Sequence, residues 1–288
     1  MTSGQKVQYE TQGFLHLPGA LDPEATSKLR AAFDSAAEKY SDRWKPGTAA
    51  QGDTPKFFDL PHILDEDDVF VDLVDIPSVF SVLLGIVGGD IQLLQVQARL
   101  FPPGRTFTAP WHSDLAAING IDLSNSLNFQ VKVHYYPYDL AAGQGCLAFI
   151  PGSHRYPPGY AHQLQISTEK ESSVFTKVVP KAGDAVLFNT HILHMALDNT
   201  STEVRKSLIY TYSHFWVKNY PSAIPRDLER LADSPQRKQL FGVASSDKDG
   251  SYFHQSFLTP SLRSEALSLL SAGRKLAGRA RDIYFMKR

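Results

Sequence analysis

One cysteine in 288 residues, Cys146, has no partner within the chain. That excludes an internal disulfide framework and fits a reducing compartment. Charge of one sign is also lacking: 29 lysines and arginines against 30 aspartates and glutamates give a formal net charge of -1. With basic residues scattered along the chain, no face advertises nucleic acid, and no acidic block suggests a solvating tail. The expected partner is a small molecule. Long apolar runs are missing as well. No window approaches the roughly 18 apolar residues a membrane helix needs, and "MTSGQKVQYETQGFLHLPG" has no signal-peptide core. The closing "FMKR" matches no peroxisomal or retention tripeptide. Together these absences predict a soluble cytoplasmic protein with no nucleic-acid or membrane partner, and they leave its oligomeric state, monomer or homodimer, open.

What is present divides the chain unevenly. An extended "GFLHLPGAL" precedes a helix from about Pro23 to Tyr40, with Asp22 placed to cap it and Leu29, Ala32, Phe33 and Ala36 at helical spacing. Residues 41–60 are polar and carry Gly and Pro, which reads as a loop. A second helix is expected over Ile76–Val87. From "DIQLLQVQARLF" onward, runs rich in Val, Leu, Phe and Tyr alternate with turn residues: 91–101, 127–136, 145–150, 174–179, 185–188 and 207–215. Many short strands without long helices between them predict a mainly β domain with flanking helices, a sandwich or barrel. Its core spans about 90–216. Residues 1–89 and 217–288 form mostly helical flanks of a single domain, and no internal repeat breaks the chain.

Within this frame "WHSD", Trp111–Asp114, follows the proline-broken "LFPPGRTFTAP". Residues two apart on an extended chain point the same way, so His112 and Asp114 can converge on one ion. A third ligand must come from another strand. "AGDAVLFNTHILHMALDNTSTEVRKSLIYTYSHF" offers His191 and His194, which at a spacing of three face opposite ways. Arg205 and Ser207 open the next strand on one face. A buried guanidinium fork binds a carboxylate through two parallel hydrogen bonds, and a serine hydroxyl can join it. Two histidines, one carboxylate and an Arg-x-Ser form the inventory of an Fe(II) site that activates dioxygen with a dicarboxylate 2-oxo acid.

These motifs carry a resemblance. In order, "YETQGFLHLPGALDPEATSKLR", "PWHSD", "GQGCLAFIPGSHRY", "AGDAVLF" and "HILHMALDNTSTEVRKS" resemble the phytanoyl-CoA dioxygenase family of Fe(II)/2-oxoglutarate-dependent oxygenases. The resemblance implies a double-stranded β-helix (a jelly roll) and iron held by His112, Asp114 and His194. It places Arg205 on the far carboxylate of 2-oxoglutarate, with Ser207 beside it. It implies that dioxygen and 2-oxoglutarate are consumed, that succinate and carbon dioxide are released, and that a small organic molecule, such as a natural-product intermediate, is oxidised, by default hydroxylated. Asp114 stands where related halogenases have a small residue, so halogenation is not expected.

The remaining candidates are polar strand faces and rim residues. Gln97 shares a face with Gln95 and Arg99 and could bond the near carboxylate of the 2-oxo acid. In "LNFQVKVHYY", Gln130, Lys132 and His134 alternate with apolar residues; the pattern alone favours a solvent face, whereas the family's cavity-lining strand would turn them inward. Gln130 is then a cosubstrate candidate, and Lys132 and His134 are substrate candidates with Phe58 and Ile118 of the rim. "PGSH" reads as a rim-shaping turn with a structural His154, and Trp111 as packing behind the metal loop. Two other readings stay open: a non-catalytic jelly-roll protein that binds a small ligand, and a cupin-type metalloenzyme that does not use 2-oxoglutarate. Arg205 bears against the latter, which has no need of a buried cation for a distal carboxylate.

Overall fold

Period-two patterning in β3 (Ile91–Phe101), β4 (Gln130–Tyr135) and β9 (Arg205–His214) builds the middle of a six-stranded antiparallel sheet. The computed structural model describes residues 1–45, 57–104, 111–114, 128–157 and 173–243. Within them β1 (Phe14–Leu17), β2 (Phe58–Leu60) and β7 (Ala185–Asn189) complete the sheet in the order β1-β7-β4-β9-β3-β2. A smaller sheet, β6-β5-β8, is made of Thr176–Val178, Leu147–Phe149 and His194–Ala196. Phe14 and Phe188 of the large sheet meet Phe149 of the small one at ring-centroid distances of 4.7 and 5.1 Å, so the two sheets share one core. This is the jelly roll expected from the sequence.

Register sorts the side chains of the large sheet to two faces. The pairs Phe101↔Arg205, Arg99↔Ser207, Gln97↔Ile209 and Lys132↔Thr211 place these residues toward the small sheet. Tyr135, Tyr210 and Tyr212 point the other way, and their hydroxyls donate to the carbonyls of Leu73, Phe70 and Val74. Each bond occupies a main-chain acceptor near the end of α4 (Asp68–Asp72) and contributes about 1 kcal/mol. The polar side of β4 is therefore interior, against what its alternation alone favours.

The helices follow their local signals. In α2 (Pro23–Lys39) the Asp22 carboxylate accepts from the Ala25 N–H at 2.8 Å, and Leu29, Ala32, Phe33 and Ala36 are buried, as their spacing predicts. α5 (Pro77–Val87) also lies where expected. One correction concerns the apolar run Asp68–Val87, whose 20 residues have the length and hydropathy of a membrane span after all. It is divided into α4 and α5, and Phe70, Val71, Val79, Phe80, Val82 and Leu83 bury their side chains in the protein. Further elements arise where the sequence reading has loop or nothing: α1 (Ser3–Gln12), the short α3 (Ser41–Trp44), β2 and α4. Toward the C-terminus α6 (Leu228–Leu231) and α7 (Pro235–Leu240) begin the helical flank. By its contacts the chain divides into Met1–Ala244 and Ser245–Arg288; the second unit, with its expected helices, lies outside the described residues.

Candidate metal centre and active site

His112 and Asp114 meet His194 because residues 111–114 run extended beside β8. The His112 N–H donates to the His194 carbonyl at 3.1 Å, and the His194 N–H donates to the His112 carbonyl at 3.0 Å. Directly opposed residues in such a pair share a face, and the two imidazole centroids are 4.4 Å apart. The Asp114 N–H donates to the Thr190 carbonyl at 3.0 Å, which holds the carboxylate on that side. His112 Nε2 lies 3.9 Å from Asp114 Oδ1, and His194 Nε2 lies 3.6 Å from Asp114 Oδ2. One donor atom from each residue falls within 4.8 Å of the others. Donors about 2 Å from a common ion stand about 3 Å apart, so small side-chain adjustments close this set on a metal. Among the described residues no other group of three His, Cys, Asp or Glu side chains does so.

The His194 ring is set for ligation before any ion arrives. Its Nδ1 is 3.0 Å from the Ile192 carbonyl, which fixes the proton on Nδ1 and turns the Nε2 lone pair to the triad. Burial pulls its pKa down to about 4, outweighing the attraction of Asp114, so the imidazole is neutral, as a ligand must be. For Asp114, burial works against ionisation, but His194, Lys132 and His112 together hold its pKa below the ordinary carboxylate value. His191 is outside the triad; its backbone N–H donates to the Asn189 side-chain carbonyl at 2.9 Å. "PGSH" does more than shape a rim. Ser153 Oγ accepts the Leu193 N–H at 2.8 Å, and the Leu193 carbonyl accepts the Ile150 N–H at 3.0 Å, which pins the residue before His194. His154 is structural, as expected: it packs so closely under Gly13 that a Cβ there would lie 2.5 Å from its Nδ1.

The triad opens on an interior cavity of about 70 Å³ whose walls include Arg99, Lys132, His134, Arg205, Phe188 and Ile209. Arg205 is 2% exposed, donates through Nη1 to the Gly145 carbonyl, and lies over the Phe101 ring at 5.3 Å. Its Nε has no partner among the described residues. Burial pulls its pKa down, yet a guanidinium remains charged, so this is a desolvated cation without a carboxylate partner among the described residues. Next along the same face Ser207 is fully buried with a hydroxyl that also lacks a partner among them. Gly145 holds the arginine's seat at φ +71°, and a Cβ would come within 2.6 Å of Phe101 and 3.0 Å of the Leu197 carbonyl. Gly145→Ala is expected to cost about 2–4 kcal/mol in chemical denaturation, from left-handed strain plus overpacking.

The structure distributes the other candidates differently. Lys132 Nζ reaches Asp114 Oδ2 at 2.9 Å, and His134 lies in the cavity wall with an unpartnered Nδ1; burial, then the charges of Lys132 and Arg205, push its pKa well below the usual histidine value. Gln97 does not face a free carboxylate site: its amide donates to Asp59 Oδ2 at 2.8 Å. Gln130, half-buried at the start of β4, serves through its backbone carbonyl, which accepts from Thr190. Phe58 pairs with Leu100 on the face opposite Asp59, under the Arg43 guanidinium, so it is turned away from the cavity. Ile118 lies outside the described residues, as do most of the expected rim segments. Arg99, noted in the sequence only for sharing a face with Gln97, is a wall residue held in a bidentate pair with Asp59 at 2.7 and 2.8 Å. Trp111 packs behind the metal loop on Phe175, with Met195 in the same patch, so the tract after His194 presents only Ala196 to the cavity. A larger groove of about 530 Å³ between α2 and α4 has no such chemistry; its Asp68 and Asp72 pair with Arg230 and Arg237.

Comparison with known proteins agrees with this geometry. The profile of the family described as phytanoyl-CoA dioxygenase (PhyH) matches residues 9–207. An L-proline trans-4-hydroxylase from Streptomyces griseoviridis is 24% identical over 244 residues, covering 75% of this chain and 87% of that protein. A 2-aminoethylphosphonate dioxygenase from an uncultured bacterium is 24% identical over 279 residues, covering 86% and 98%. Among solved structures, the epimerase SnoN in complex with Fe3+, alpha ketoglutarate and nogalamycin RO superposes with a TM-score of 0.57 at 20% identity, over 81% of this chain and 89% of that one.

Proposed function

Because the chain belongs to the phytanoyl-CoA dioxygenase family, we propose that it is an Fe(II)/2-oxoglutarate-dependent dioxygenase that hydroxylates a small organic molecule. One observation carries this reading: two histidines and a carboxylate converge on the same cavity into which projects a buried arginine that pairs with no carboxylate among the described residues. His112, Asp114 and His194 would hold iron on one side, leaving positions for a chelating 2-oxo acid and dioxygen. Iron so bound supplies dioxygen activation coupled to oxidative decarboxylation of 2-oxoglutarate to succinate and carbon dioxide. Arg205 fixes the far carboxylate through its fork, and Ser207 offers a hydroxyl to the same anion. Phe188 and Ile209 give the cavity an apolar wall beside the triad. A metalloenzyme without the 2-oxo acid would gain nothing from a buried guanidinium at this place.

Small-molecule substrates are what the named relatives share. The proline and aminoethylphosphonate enzymes by their names, and SnoN by its bound nogalamycin, act on or hold such compounds. A natural-product-like intermediate suits a cavity that mixes apolar and charged walls, and a reducing cytoplasmic setting suits the buried thiol of Cys146.

Anaerobic addition of Fe(II) and 2-oxoglutarate should produce the weak visible metal-to-ligand charge-transfer band, and dioxygen should then release succinate. EDTA should abolish both. Fully metallated protein that develops no band with saturating 2-oxoglutarate would overturn the reading.

A further inference from the structure

The cavity holds one more cation than the proposed reaction employs. Lys132 projects inward from β4, keeps 17% of its side chain exposed, and pairs with Asp114 at 2.9 Å. Arg99 does not enter the balance, because Asp59 neutralises it through two bonds. Among the described residues facing the cavity, then, Lys132 and Arg205 bring two positive charges and Asp114 one negative. A divalent metal raises the excess to three, and a dicarboxylate cosubstrate removes two. One positive charge is left over among largely buried side chains, where an unmatched ion is costly. The neighbouring strand carries a second unmatched group. Thr211, the register partner of Lys132 on β9, is 2% exposed and its hydroxyl has no partner among the described residues. An ammonium and a hydroxyl on paired strands of one sheet face are both groups that can donate to an oxyanion.

We infer that Lys132 is a carboxylate-binding residue beside the metal, which exchanges its contact with Asp114 for a carboxylate presented at the open side of the iron. The inference rests on the function proposed above. Charge balance favours the substrate as the source: a small molecule with one net negative charge, since Arg205 and the iron already match both charges of 2-oxoglutarate. The same contact gives the lysine a role beyond its ion pair with Asp114. While Asp114 is not shared with a metal it neutralises Lys132; once shared, its charge is divided and the ammonium is available.

The test uses the full chain as wild type, Lys132→Gln and Lys132→Arg, loaded with Fe(II) without oxygen. 2-Oxoglutarate is titrated first and the charge-transfer band gives its Kd; acetate, benzoate and uncharged benzamide are then titrated into the saturated complex. The expected result is a 2-oxoglutarate Kd within about threefold in all three proteins. Acetate and benzoate should shift the band in wild type and Lys132→Arg, need at least tenfold higher concentration in Lys132→Gln, and benzamide should do nothing. A tenfold weaker 2-oxoglutarate Kd in Lys132→Gln, with no carboxylate effect in wild type, would keep the carboxylate role but make the cosubstrate its source. If neither titration distinguishes wild type from Lys132→Gln, the inference is wrong. Absence of the band in every protein would count against the 2-oxo acid reading alone, because the visible spectrum of Co(II)-loaded protein still reports carboxylate binding. Thermal melting checks folding, and Lys132→Met replaces the glutamine variant if that fails to fold.

Discussion

His194→Ala weakens Fe(II) binding by about a hundredfold or more and abolishes succinate formation, whereas His191→Ala leaves iron binding where it was. Loss of a mere outer partner of a metal site costs 10–100-fold in affinity, so loss of a direct donor sets that range as a floor. Nothing nearby can replace the ring. Its Nε2 is the donor 3.6 Å from the Asp114 carboxylate, aimed by the Ile192 carbonyl, and among the described residues no fourth ligand stands by. The ring also packs on Phe188 at 4.9 Å, so some stability is lost too. The two effects separate in a melting experiment. Fe(II) at 100 times its Kd should stabilise wild type by about 2.7 kcal/mol, and that increment should vanish in His194→Ala while the apoprotein still melts cooperatively. The comparison with His191→Ala matters because the sequence offers both histidines. Equal loss of iron in the two variants, or a His194→Ala protein that binds iron normally, would remove the metal site from this place.

How far the sequence could be read depended on whether a feature was local. β3 was legible residue for residue because eleven positions of alternating character have one consistent solution, and the Asp22 cap marks α2 for the same reason. The capping box of Thr2 and Gln5 was equally local and marks α1, although its weak apolar stripe hides the helix. β8 is three residues long, too short for a period to show, yet it carries His194. The His-x-Asp pair is local; its approach to His194 is not, since the 81 residues between His112 and His194 must be brought round so that two backbone hydrogen bonds can form. The family motifs bridged that gap where periodicity could not. Parity decided the weaker assignments. Asp59 and Phe58 are adjacent, so one faces the cavity wall and the other must face away. Gln97 was placed on the correct face, but its partner Asp59 lies 38 residues earlier on an edge strand that reads as loop. Likewise the pattern of β4 shows that Lys132 and His134 share a side; only the second sheet tells that this side is indoors.

Arg205→Met should change two measurements in opposite directions: the apoprotein becomes more stable, and 2-oxoglutarate binding nearly disappears. The guanidinium is 2% exposed and has, among the described residues, one carbonyl and one aromatic face for company. Removing it frees the Gly145 carbonyl, about 1 kcal/mol, and forfeits the contact with Phe101, another 0.5–2 kcal/mol. Against these stands the desolvation of a buried cation with no counter-charge, several kcal/mol, so the net gain is about 1–3 kcal/mol. Methionine fills similar space without a polar group. For a unit of this size the apoprotein melting temperature should rise by several degrees. Binding goes the other way, because a carboxylate that loses its buried partner loses about 2–5 kcal/mol, some thirtyfold to a few thousandfold in Kd. Fe(II) affinity should be unaffected, since Arg205 touches none of His112, Asp114 or His194. 2-Oxoglutarate should therefore raise the melting temperature of iron-loaded wild type and leave that of the variant unchanged. A variant that binds 2-oxoglutarate as wild type does would show that this arginine anchors something else, and a less stable apoprotein would show that its charge is already paid for inside the fold.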